Sequence, residues 1–255
     1  METPDVMAQY RLFTKYYNNA YENCDLADYQ TADQLRRKVV PKIEDLFDGE
    51  TTTEFAGLFE MFSEFLFEYY RCLRKHKQAT HDIEYELKSM AQKVIQLNGN
   101  SFWGHFFLAV HHSFNLTNAH SGSGSAIHKG RDTVETIIGT TFKLLGKGLT
   151  LAGTSVSAGI SKSNFTNSVK RVIETYQLNL AQKPCSAKTF FKMTEMMFML
   201  AEVCEEVNNP IWKDVYTAIK NSDVHTLDYS EFDDYILNEI KESAIEMILL
   251  ADAKI

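Results

Sequence analysis

The stretch T51-TTEFAGLFEMFSEFLFEYYRCLRKH-K77 decides the fold class. Phe55, Leu58, Phe59, Phe62, Leu66, Tyr69 and Leu73 recur every three or four residues, the spacing that gathers side chains on one face of an α-helix. Phe65, Phe67 and Tyr70 widen that face well beyond a single seam. A helix apolar on more than one side is packed by several neighbours, so this segment is expected to be central. Thr51, Thr52 or Thr53 can cap its start, with Glu54 in the first turn. Arg71, Arg74, Lys75 and Lys77 suit the negative end of its dipole, and are read as a helix end rather than a nucleic-acid patch.

Working outward, helical spacing continues through almost every other segment. Helices are expected over about 6–21, 27–47, 80–98, 101–116, 163–181, 186–208, 210–221 and 229–252. Pro41 should kink or split the second. Phe190, Met193, Met197, Leu200 and Cys204 share a core face, and Met193, Met196, Met197 and Met199 are read as core rather than as an adaptable binding stripe. Pro210 opens a new helix carrying Trp212. Ser230 is the expected cap of the last helix, with Phe232, Ile236, Ile240, Ile245 and Leu249 as its docking face. No run of alternating β-branched residues lies between turn signals, so the fold class is all-α, an antiparallel helical bundle or short repeat array. The one partial alternation is LTLAGTSVSAG at 149–159.

The chain of 255 residues is long enough for one large domain or two small ones. Apolar residues make up 44% and charged ones 24%, the balance of a folded protein rather than a disordered one. Seventeen Phe and twelve Tyr supply packing anchors, and four Pro interrupt little. A formal charge of −8 without a basic stripe argues against nucleic acid as a partner. Cys24, Cys72, Cys185 and Cys204 form no C-x-x-C pair and read as buried free thiols. With no apolar leader, they point to a cytoplasmic protein, possible membrane association aside. The sequons at Asn115 and Asn164 are then chance matches.

The segment KVIQLNGNSFWGHFFLAVHHS at 93–113 resembles the joint between two tetratricopeptide repeats. Leu97-Asn98 matches the end of one repeat helix, and Leu108-Ala109 the leucine–small pair of the next. Gly99 stands where proline is usual, Trp103 lies two residues early with His105 at the usual aromatic position, and Val94 replaces a small residue. No second copy follows at the family's period near 34 residues. The resemblance implies paired helices that form a groove for a partner, and no catalytic residues.

One region breaks the pattern. Eight of the twelve glycines lie between 122 and 159, and no Asp or Glu occurs from 136 to 162. It opens with SGSGS at 121–125, a flexible-linker composition. The expected organisation is therefore an N-terminal helical region over 1–120, a Gly/Ser-rich insertion over 121–162, and a C-terminal helical region over 163–255 that shares one domain with the first. A phosphate loop fails on spacing, since Thr141 and Gly148 replace the glycine and hydroxyl residue that G-x-x-x-x-G-K-[ST] requires. A resting transmembrane helix is disfavoured by Lys143 and Lys147. Binding of a membrane surface through 130–162 stays open, because Phe142, Leu144, Leu145, Leu149 and Leu151 alternate with cations. Gly139, Gly146 and Gly153 fall seven apart, on nearly one side of a helix, where small residues let a second backbone approach. Gly139, Phe142, Leu145, Gly146, Lys147, Leu149 and Gly153 form the candidate contact element; a loose loop with coincidental spacing is its plain alternative.

Other chemistry is thin. Glu60, Glu64 and Glu68 make an acidic stripe without the E-x-x-H partner of a di-metal bundle, and read as a solvated face. His105, His111, His112, His120 and His128 lack metal-ligand spacing, and neither a G-x-S-x-G elbow nor a Cys–His signature is present. No catalytic residue, cofactor or metal is expected. The leading reading is a non-enzymatic interaction or adaptor protein that binds protein partners or itself. A membrane-active protein and an enzyme with a dispersed site are the alternatives.

Overall fold

The computed structural model describes residues 3–23, 25–46, 53–114, 158–182 and 184–255. These carry nine α-helices and no strand: α1 (Thr3–Asn23), α2 (Leu26–Leu46), α3 (Thr53–Lys75), α4 (His81–Leu97), α5 (Phe102–Ser113), α6 (Ala158–Ala181), α7 (Ala187–Glu206), α8 (Trp212–Lys220) and α9 (Leu237–Asp252). The all-α expectation holds. Two compact units divide inside α5, Met1–Phe107 and Leu108–Ile255.

In the first unit α1 packs on α2, and α3 on α4 and α2. The breadth of the apolar face of α3 explains this: Phe59, Phe62, Phe65, Leu66, Phe67, Tyr69, Tyr70 and Leu73 are all buried. Phe65 is the hub. Its ring meets Phe13 edge-on at 5.2 Å and Tyr17 at 5.3 Å, both from α1. It also meets Tyr29 of α2 at 6.0 Å, and Tyr29 stacks on Tyr69 at 5.6 Å. Such pairs add about 0.5–1.5 kcal/mol each to the burial of their surfaces. Phe67 points elsewhere, to Phe106 and Phe107 of α5 at 6.1 and 5.9 Å. Helix α2 runs unbroken through Pro41.

Helix α3 ends in a left-handed residue. Lys77 has φ 55°, its N–H donates to Arg74 O, and Gln78 N–H donates back to Leu73 O. This is the Schellman termination, which glycine usually fills. Asn208 (φ 51°) ends α7 in the same way, with Asn209 N–H on Cys204 O.

In the second unit α7 packs against α6, α8 and α9, and α8 against α6 and α9. Phe190, Phe191, Phe232, Ile236, Ile240, Ala244 and Met247 form one buried cluster. Met193, Met196, Met197 and Met199 are all buried, as their spacing predicts. Tyr176 of α6 ties the centre together through its hydroxyl, which bonds Thr194 of α7 at 2.9 Å and Ser222 beyond α8 at 3.0 Å. Burial pushes its ionisation up to about 12, so the hydroxyl keeps its proton at neutral pH.

Two expectations are corrected here. The last helix starts at Leu237, not near 229, and Ser230 does not cap it. Backbone pairing takes that stretch: Asp228 N–H donates to Cys185 O and Ala187 N–H to Asp228 O, both at 2.8 Å. Asp228 then turns the chain by accepting Ser230 N–H at its side chain, and Ser186 Oγ donates to Glu231. Phe232 and Ile236 still reach the core, from turns. The docking face of α9 is Ile240, Ala244, Met247 and Ala251; Ile245 and Leu249 are 40% and 60% exposed. The step of five from Ile240 to Ile245 rotates the stripe away from α7.

Replacing Phe65 by Ala removes the hub ring and should cost about 3–5 kcal/mol, read as a lower urea midpoint of the first unit. Lys77→Gly relieves the left-handed backbone and should gain about 1 kcal/mol, read as a higher midpoint.

Candidate functional site

The strongest cluster of charge among the described residues lies between α2 and α4. Arg36 is 2% exposed. Its Nε and Nη2 donate to Asp33 Oδ1 at 3.0 and 2.7 Å, and Nη2 also reaches Glu86 Oε2. Arg37 closes the ring, with Nε on Asp33 Oδ2 at 2.8 Å and Nη2 on Glu86 Oε1 at 2.6 Å. Two cations meet two carboxylates, so the charges compensate inside the cluster. A buried guanidinium tolerates burial only when paired and hydrogen-bonded in this way. The D-x-x-R-R spacing of 33–37 signals the local half of the ring; Glu86, on another helix, is invisible to spacing along one helix.

Several residues singled out from sequence take partners in the fold, some across helices or turns and some within one helix. Ser101 caps α5 by accepting Gly104 N–H at 3.0 Å and donates its hydroxyl to Glu60 of α3. Glu68 takes Arg71 Nη1 at 3.0 Å, and the Arg71 guanidinium lies 5.8 Å from the Phe67 ring centre. Glu60, Glu64 and Glu68 are half-buried. The acidic stripe is thus not the solvated face its repeat suggests: a helix packed on several sides leaves no fully wet flank.

His120 and His128 lie outside the described residues, and His105 and His112 bond groups other than histidine. His105 Nε2 bonds Gly99 O at 2.9 Å, across the turn between α4 and α5. His112 Nδ1 lies 2.9 Å from Ser168 Oγ of α6. A serine beside an imidazole invites a nucleophilic reading. Ser168, however, sits well inside α6, whose amides are committed to i→i−4 bonds and cannot stabilise an oxyanion. The pair serves as a clasp between α5 and α6. Among the described residues no group of three or more His, Cys, Asp or Glu could hold a metal ion.

Cys72, Cys185 and Cys204 are buried free thiols, as expected. Burial pushes Cys204 up to about 12 and raises Cys185 as well, which suppresses the thiolate that reacts. No helix of the described residues is long and apolar enough to cross a membrane.

At the 93–113 junction the chain folds as a helix–turn–helix. Asn98 N–H caps α4 on Val94 O at 2.8 Å, and its side chain accepts Asn100 N–H at 3.1 Å. Gly104 stands so close to α4 that a Cβ there would lie 2.9 Å from Val94 Cγ1 and from Ile95 Cγ1. The small residue needed for close approach is therefore on the second helix of the pair, with Val94 filling the first. No family model, curated protein or solved structure matches the chain. The candidate contact element, Gly139 to Gly153, lies outside the described residues.

One carboxylate sits at odds with its surroundings. Glu202 of α7 is held above the usual range by burial, opposed by Lys254 and reinforced by Glu205 and Glu206. Its proton is bound more tightly folded than unfolded, so stability falls as pH rises through the folded-state value. Glu202→Gln should raise the Tm at pH 7, and the gain should vanish below the ordinary carboxylate value of 4.5. Thermal melts of both proteins from pH 4 to pH 8 check this.

Proposed function

We propose that the chain is a non-enzymatic α-helical interaction protein of adaptor type, acting in the cytoplasm through its Gly-rich segment. What supports the reading is the use to which the reactive groups are put. Arg36, Arg37, Glu60, Ser101, Ser168, His105, His112 and Tyr176 all bond across helices or turns. Chemistry-bearing side chains used in this way build a body. The segment over 126–162 differs from that body in composition, with clustered glycines, no Asp or Glu from 136 onward and a cation–leucine mix. Gly139, Gly146 and Gly153 would admit a partner's backbone, with Phe142, Leu145 and Leu149 providing the apolar contact around Lys147. The tetratricopeptide-like junction at 93–113 accords with a helical scaffold of this kind.

The test is affinity capture from cytoplasmic extract with the intact chain, a 126–162 deletion and a Leu145→Asp/Leu149→Asp variant. Partners recovered by the intact chain should be lost from both. Equal partner lists overturn the proposal. Co-sedimentation of the intact chain, but not the deletion, with protein-free anionic liposomes would replace it by the membrane-active reading.

A further inference from the structure

Helix α9 has two faces. Ile240, Ala244, Met247 and Ala251 are buried in the second unit. A quarter to a half turn away, Lys241, Ile245, Leu249 and Asp252 form a second stripe, and all four are exposed. The stripe therefore reads cation, isoleucine, leucine, anion along three turns. Reversed, it reads anion, leucine, isoleucine, cation, which is its own complement.

We propose that α9 pairs with α9 of a second copy, antiparallel about a two-fold axis near Glu246 and Met247. In that register Ile245 packs on Leu249 of the second copy and the reverse, while Lys241 meets Asp252 of the second copy at both ends. A two-fold operation keeps lateral offset, so Lys241 and Asp252, which lean to the same side of the stripe, end on the same side of the seam. Isologous pairing of one patch with itself is the commonest closed symmetry, and end charges of this kind fix orientation. Parallel pairing would set Lys241 against Lys241 and Asp252 against Asp252.

The intramolecular partners of these charges are compatible with the pairing. Asp252 takes Lys220 Nζ through Oδ1 at 2.6 Å, at the surface, and a carboxylate can bridge two cations. Lys241 Nζ lies 5.4 Å from the Tyr229 ring centre, and an ammonium with three donors can meet a carboxylate beside that ring. Glu242, also exposed, flanks Ile245 on the opposite side; the register sets it beside Ala253 of the second copy, where no like charge faces it.

Sedimentation equilibrium of the full chain over a concentration series tests this. The intact chain should show a monomer–dimer equilibrium, and Ile245→Asp/Leu249→Asp should be monomeric throughout with an unchanged circular dichroism spectrum. Lys241→Asp and Asp252→Lys should each weaken the dimer by about tenfold, because the pair occurs twice. Combined, they should restore it. A monomer at every concentration, a dimer indifferent to the Asp pair, or single reversals not rescued in combination would each overturn the assignment. So would a dimer lost on deleting 126–162 and kept in the Ile245→Asp/Leu249→Asp variant, which would place self-association on the Gly-rich segment.

Discussion

The first unit depends on the breadth of the apolar face of α3, which leaves water only a narrow flank along Gly57, Glu60, Glu64 and Glu68. Aromatic rings at 59, 62, 65, 67, 69 and 70 point around most of its circumference and are buried. Helices are thereby drawn onto it from several directions: α1 and α2 around Phe65, and α5 around Phe67. Any polar group between these helices is carried out of water with them and must find a partner there. The closed ring of Asp33, Arg36, Arg37 and Glu86 is the largest instance. The Ser101–Glu60 bond, which joins the cap of α5 to the flank of α3, is a smaller one.

The second unit meets the same demand with hydroxyls rather than charges. The Tyr176 hydroxyl bonds both Thr194 and Ser222 where α6, α7 and the end of α8 converge. A tyrosine kept neutral by burial can bridge two neighbours without the desolvation cost of an ion. Carboxylates near the end of α7 fare worse. Glu202, Glu205 and Glu206 lie close together at the negative end of a helix dipole, and Lys254 opposes that repulsion at Glu202.

Most helices were legible because their apolar residues recur at three and four, and burial followed that recurrence in α3 and α7. The reading failed where a distant strand of backbone intervened. Nothing in residues 228–236 announces that Asp228 will exchange hydrogen bonds with Cys185 and Ala187; the local acids and Ser230 look like a helix start. It failed again at Ile245 and Leu249, whose apolarity matches that of Ile240 although their register does not. The chemistry of the candidate residues was legible only in part. Spacing gave no sign of the partners that His105 and His112 take, Gly99 O and Ser168, which are set by tertiary contact. The glycine spacing that defines the contact element is a property of sequence alone.

Gly104 closes the account of how α4 and α5 meet. The atoms that a Cβ would strike belong to branched side chains, Val94 and Ile95, and Val94 is fully buried. Branched residues have few rotamers into which to withdraw. Even alanine would have to push the two helices apart, whereas Gly57 faces open space and Gly99 only ordinary contact. Glycine at 104 is therefore set by the packing. A side chain here needs Val94 or Ile95 trimmed first, a requirement that neither Gly57 nor Gly99 carries, so the order in which this joint can be rebuilt is written into its packing.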